Sequence, residues 1–121
     1  RQMQAMLSDK HGRTLVVEPG IGWREDEGRY SLITNYSILA PESTRPFVVP
    51  EDDRYEKASK MLDICGNYFT VNNAFSILQA VCQEGIWATR VSFVYSAEEN
   101  AVYYVQNNNF SQIEKYKFWN L

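Results

Sequence analysis

Trp87-Ala88-Thr89-Arg90-Val91-Ser92-Phe93-Val94-Tyr95, followed by Ala101-Val102-Tyr103-Tyr104-Val105-Gln106, decides how this chain is built. The first run alternates, with Trp87, Thr89, Val91, Phe93 and Tyr95 on one side. Period two is the pattern of a strand. Ser96 to Asn100 is a turn, so the second run returns antiparallel beside the first. Residues 110–118 are read as one more strand.

Upstream of this hairpin the period changes. Tyr55, Ala58, Leu62 and Cys65 recur at spacings of three and four, one apolar stripe on a helix over residues 51–65. Pro50 precedes it, Glu51, Asp52 and Asp53 suit the positive end of its dipole, and Gly66 stops it. A second helix spans 72–84, with Thr70 or Asn72 as cap and Ala74, Phe75, Ile77, Leu78, Val81 and Cys82 on its buried face. The short turn between them predicts two antiparallel helices on one side of a sheet.

The amino-terminal third is again β. Residues 3–8 and 13–18 flank Asp9-Lys10-His11-Gly12, which reads as a hairpin. Pro19, Gly20 and Gly22 are expected to stop its second strand. After Gly28, Arg29-Tyr30-Ser31-Leu32-Ile33-Thr34 reads as a third strand that ends at Asn35. Residues 36–50, with Pro41, Pro46 and Pro50, form a long loop whose Phe47, Val48 and Val49 are too apolar for free solvent. The order is strands, two helices, strands: an α+β domain in which two antiparallel helices cover one face of an antiparallel sheet.

At 121 residues, 45% of them hydrophobic and 22% charged, the chain fits one domain over 1–121. The net charge of −3 argues against a nucleic-acid partner, since no basic footprint is present. No apolar run approaches the roughly 20 residues that a membrane helix needs. Arg1-Gln2-Met3-Gln4 shows no signal-peptide pattern and no initiator Met, so the chain is expected to begin inside a longer protein or at a processing site. The compartment is open, with the cytoplasm favoured. Cys65 and Cys82 are expected to be buried and reduced, and the single His11 cannot anchor a zinc site alone. No metal or cofactor is expected.

As isolated residues, few side chains offer chemistry. His11 reads as a solvated turn residue, and the acids at 51–53 read as a helix start rather than a cation site. Asn35-Tyr36-Ser37 and Asn109-Phe110-Ser111 match the glycosylation acceptor pattern, which matters only in a secreted protein. Asn35 itself, after an apolar strand, could aim its amide at a developing oxyanion, or it could simply cap the strand end. Arg54 sits where a cation is unfavourable, at a helix start, which points to a partner elsewhere or to an exposed surface Arg.

In order along residues 5–110, these segments resemble the linear-amide C–N hydrolases. That group includes choloylglycine hydrolases, penicillin V acylases and acyl-coenzyme A:6-aminopenicillanic acid acyltransferases. Asp9-Lys10-His11-Gly12 with Leu15-Val16-Val17-Glu18, then Thr34-Asn35, then Asp53-Arg54-Tyr55 opening a helix, then the 87–95 and 101–104 strands carry the likeness. The short spacing from Thr34-Asn35 to Arg54 is most similar to the acyltransferase branch. The resemblance implies half of an N-terminal-nucleophile αββα sandwich, in which an amino-terminal Cys uses its own α-amino group as base. It implies Asn35 as oxyanion donor and Arg54 as electrostatic positioning residue, acting on a small acyl-amide substrate.

The nucleophile is not in this chain. Residue 1 is Arg, and Cys65 and Cys82 carry no free α-amino group. The chain alone is expected to be inactive: a carboxy-terminal fragment, a processed subunit, or a relative that has lost catalysis. A half-sandwich would expose an apolar sheet face, to be covered by the missing amino-terminal segment or by a homo-oligomer partner. The competing expectation is a non-catalytic α+β module that self-associates or binds a partner through that face.

Overall fold

The computed structural model describes residues 3–119. It is α+β, with two three-stranded antiparallel sheets and three helices among the described residues. The chain divides into two compact units, residues 1–55 and 56–121. The single sheet expected from the sequence is thus replaced by one small sheet in each.

In the first unit, β1 (Ala5–Ser8) and β2 (Thr14–Glu18) form the expected hairpin, with Met6 opposite Val16. Its turn is closed by Asp9, whose Oδ1 accepts the His11 and Arg13 N–H groups, both at 2.9 Å. Gly12 takes a φ of +78°, which a Cβ would penalise. The third strand is not Arg29–Thr34 but β3, Gly22–Asp26. Pro19-Gly20 does not stop the sheet. It makes a tight turn, with Ile21 N–H donating to Glu18 O at 2.9 Å and Gly20 at φ +83°. The chain therefore folds back at once, and β3 pairs with β2, making the order β1-β2-β3. Asp26 Oδ1 then accepts Gly28 N–H at 3.2 Å, which turns the chain out of the sheet before residues 29–34. Residues 29–34 run without regular structure, and Asn35 lies in a bend rather than at a strand exit.

Alternation gives this sheet two unlike faces. Val16 and Glu18 are fully buried on one. Ala5, Leu7, Leu15, Val17, Trp23 and Glu25 share the other, where Leu7, Trp23 and Glu25 are exposed. The long connection keeps its expected irregular character, but Phe47, Val48 and Val49, expected to be covered, are exposed. Its regular parts are a single turn, α1 (Pro41–Thr44), with Pro at its start, and a 3-10 turn at Arg45–Phe47.

Helix α2 is Arg54–Cys65, starting three residues later than expected. Glu51 has a φ of +67° and belongs to a turn in which Asp52 N–H donates to Val49 O at 3.2 Å. Pro50 and a left-handed Glu51 are the two central residues of that turn, so residues 51–53 do not form the helix start.

Helix α3 (Val71–Val81) is capped by Thr70. Asn73 N–H donates to Thr70 Oγ1 at 3.1 Å and Thr70 N–H donates to Asn73 Oδ1 at 3.0 Å, the reciprocal pair of a capping box. α3 packs on β4 (Val91–Ser96) through a face that buries Ala74, Phe75 and Ile77. The antiparallel helix pair is not formed: among the described residues α2 makes no comparable approach to α3. Its apolar stripe is thinly covered, with Ala58 the only buried residue of the helix. Both cysteines are free and half-buried, not enclosed.

β4 is shorter than the alternation suggested. Gly85–Trp87 is a 3-10 turn, and Thr89 Oγ1 accepts Gln83 N–H at 2.9 Å, tying off the connection before the strand begins. β5 (Ala101–Gln106) and β6 (Glu114–Lys117) complete the order β4-β5-β6. On the face under α3, Ser92, Ala101 and Val105 are buried. The opposite face carries Val91, Phe93, Tyr95, Val102, Tyr104 and Tyr116, with Gln106 and Glu114 at its edges, and it is open. Phe93 is 65% exposed and Tyr95 55%. Phe118 packs edge-on against Tyr95 and Tyr116, with ring centroids 6.0 and 5.3 Å apart.

Candidate functional site

Within residues 35–54 of the first unit, Arg54 is linked to the residue that follows Asn35, through groups the sequence did not single out. Arg54 has a partner, one of the two outcomes its placement allowed. Its Nε donates to Asp52 Oδ1 and its Nη2 to Asp52 Oδ2, both at 2.8 Å, a bidentate pair largely shielded from water. Asp52 Oδ2 also accepts the Tyr36 hydroxyl at 2.8 Å. The Tyr36 oxygen in turn accepts Val49 N–H at 3.0 Å. One carboxylate therefore joins Arg54 to the residue directly after Asn35.

The charges follow from these contacts. The Arg54 guanidinium holds the Asp52 carboxyl far below the usual carboxylate range, against the effect of burial and with help from the Tyr36 hydroxyl. Asp52 reciprocally raises the pKa of Arg54. Arg54 is thus a fixed cation whose Nε and Nη2 side is occupied. Five donors in a planar fork leave its Nη1 end for a further acceptor.

A second carboxylate fixes the next residues. Glu18, at the end of β2, accepts the Ser37 hydroxyl at Oε1 and the Ile38 and Leu39 N–H groups at Oε2, the last two at 2.9 Å. Ser37 Oγ also accepts Ala40 N–H at 2.9 Å, and Ser37 N–H donates to Thr44 Oγ1 at 3.0 Å. Burial alone would push the Glu18 carboxyl up. The Ser37 hydroxyl and the Leu39 and Ile38 N–H groups, with Arg24 nearby, outweigh it, and the pKa falls below the ordinary Glu value.

Asn35 stands immediately before both clamps. It is exposed, and its side-chain amide makes no hydrogen bond among the described residues. It therefore offers an uncommitted N–H₂ on a backbone held from residue 36 onward. The remaining candidates fall away. His11 is an exposed turn residue. Cys82 Sγ donates to Gln79 O at 3.2 Å at the end of α3. No group of His, Cys, Asp and Glu among the described residues is arranged to hold a metal ion.

Sequence reasoning missed Glu18, Tyr36, Ser37 and Asp52 as a connected set. One signal was available for Glu18: an acid ending the apolar run Leu15-Val16-Val17 lies on the same strand face as Val16 and needs donors. From the sequence alone Asp52 reads as a dipole partner; the Pro50-Glu51 turn instead presents it to Tyr36 and Arg54.

No helix among the described residues is long and apolar enough to cross a membrane. Comparison of the chain with protein families, with curated proteins and with solved structures found no match in any of the three.

Proposed function

We propose that this chain forms the Asn- and Arg-bearing part of an amide (C–N) hydrolase or acyltransferase of the N-terminal-nucleophile type. Its nucleophile is an amino-terminal Cys on a separate segment, and its substrate is a small acylated amine. The observation that carries this reading is the shared carboxylate: Asp52 links the segment of Asn35, through Tyr36, to the Arg54 guanidinium. Arg54 is thereby tied to the residue that follows Asn35, 18 positions earlier in the chain.

In this reading the free α-amine of the Cys takes the thiol proton, and the thiolate attacks the amide carbonyl. The nearby Arg54 cation favours the thiolate. The negative oxygen of the tetrahedral intermediate accepts from the Asn35 side-chain amide. One such oxyanion donor is worth about 3–4 kcal/mol of barrier. Collapse expels the amine and leaves a thioester. Water then releases the acid, or a second amine takes the acyl group.

The two open sheet faces support the same reading. Each sheet exposes large apolar side chains on one face, Leu7 and Trp23 beside Glu25 in the first and Phe93 and Tyr95 in the second. Stacked β-layers of a sandwich present such faces to further β-structure. The test is to produce the chain together with the coding sequence upstream of Arg1 and assay amine release from acyl amides. Asn35→Ala is expected to lower kcat about 100- to 1,000-fold. An unchanged kcat in that variant would refute the assignment.

The aromatic face of β4-β5-β6 also favours a second reading, a non-catalytic module that self-associates through it. Under it, the chain sediments as an oligomer that Phe93→Thr dissociates, and the complete protein releases no amine from acyl amides.

A further inference from the structure

The geometry points to Asp52 as a positioning residue that, through Tyr36, fixes the Asn35 segment and the Arg54 guanidinium relative to each other. The catalytic part of this inference rests on the reading of Asn35 and Arg54 given above; the mechanical part stands on the contacts alone.

Those contacts form a closed ring. Tyr36 Oη donates to Asp52 Oδ2 at 2.8 Å and accepts Val49 N–H at 3.0 Å, while Asp52 N–H donates to Val49 O at 3.2 Å. The ring is entered from the other side by Arg54, whose Nε and backbone N–H both donate to Asp52 Oδ1, at 2.8 and 3.3 Å. Both oxygens of one carboxylate are therefore used, each twice. The turn that presents Asp52 holds Glu51 at φ +67°, a conformation that L-residues adopt only when the surroundings impose it. Ring closure at Tyr36 and the pull of Arg54 supply that imposition.

Aspartate suits this place because its reach is short. The side chain is only 10% exposed and spans from Tyr36 to a residue two positions along the chain. An added methylene would push the guanidinium outward by about 1 Å, and a misplacement of that size costs about 100-fold in rate where a reacting geometry depends on it. The two clamps also divide the work. Glu18 holds residues 37–39 to β2, and Asp52 holds residue 36 to Arg54, so the backbone leaving Asn35 is fixed at successive positions.

Tyr36→Phe removes the hydroxyl and keeps the ring, and Asp52→Asn keeps the shape and removes the charge. In the full chain, hydrogen exchange at the Val49 amide is expected to accelerate at least tenfold in Tyr36→Phe, with the Leu15 amide of β2 unchanged. In Asp52→Asn, the Arg54 Nε–H is expected to exchange at least tenfold faster. Val49 and Arg54 exchange at wild-type rates in both variants would overturn the inference. In the complete protein, Tyr36→Phe is expected to lower kcat at least tenfold with KM within threefold. In an Asn35→Ala background it is expected to change kcat less than twofold, because Tyr36 acts through Asn35. Additive effects in that cycle would overturn the catalytic part. A wild-type protein that releases no amine, but whose Val49 amide is still freed by Tyr36→Phe, would remove the hydrolase reading and support the clamp.

Discussion

Replacing Glu18 probes how the irregular segment is held. The carboxylate is 1% exposed, so its three hydrogen bonds, from the Ser37 hydroxyl and the Ile38 and Leu39 N–H groups, are made away from water. A hydrogen bond to a charged group contributes about 1.5–3 kcal/mol net. The three share one acceptor group, and residues 38 and 39 are half-buried and regain some water when released, so a simple sum overstates the effect. Glu18→Ala is therefore expected to release the segment at about 3 kcal/mol, which corresponds to roughly two decades in amide exchange at Ile38 and Leu39. Glu18→Gln keeps one carbonyl acceptor and loses the charge, so it should fall between wild type and Glu18→Ala.

The pH dependence has a definite sign. Because the folded pKa of Glu18 is depressed, its contribution is fully present above the unfolded carboxyl pKa of about 4.3 and is lost as pH falls through the folded value. The difference between wild type and Glu18→Gln must then shrink on acidification from pH 7. The assay is amide exchange followed by NMR or mass spectrometry at pH 7 and again below pH 4. Ile38 and Leu39 exchanging within threefold of wild type in Glu18→Ala would refute the argument, as would a difference that grows at low pH.

Two further outcomes test the local reasoning. Glu51→Gly relieves a left-handed residue worth about 1–2 kcal/mol against about 0.5–1 kcal/mol of added chain entropy. Denaturant unfolding should show a net stabilisation of about 0.5–1 kcal/mol, and a destabilised variant would contradict the turn assignment at φ +67°. Thr70→Ala removes half of the capping box on α3 and should cost about 1 kcal/mol. Asn73→Ala should cost a similar amount, and the double variant should cost less than the sum, since each residue serves the other.

The fold was legible where a local signal sufficed. The β1–β2 hairpin, the Thr70 cap, the β4–β5 hairpin and the carboxy-terminal strand all follow from period, turn residues and caps. It was not legible where two signals competed. Pro19-Gly20 stops a strand as readily as it reverses one, and only pairing with Gly22–Asp26 decides between them. The run Arg29–Thr34 has strand composition but the Asp26 turn carries it out of the sheet. Trp87 to Tyr95 alternates throughout, yet its large residues stand on the open face while Ser92 is buried, because periodicity gives the two faces and not which one is covered. For the site, the oddness of Arg54 at a helix start was visible, and its partner was two residues away. The Tyr36 and Glu18 links span 16 and 19 to 21 positions, and no local pattern encodes contacts at that range.

The central claim is that Asn35 and Arg54 serve a thiol carried on another segment, and intact-mass spectrometry tests it most directly. The complete protein, quenched early after mixing with an acyl amide such as a penicillin or a conjugated bile salt, should carry one acyl group on its amino-terminal Cys. The same adduct should form about 100-fold or more slowly in Asn35→Ala. A complete protein that never gains the acyl mass across these substrates, or an Asn35→Ala variant acylated at the wild-type rate, would contradict the account.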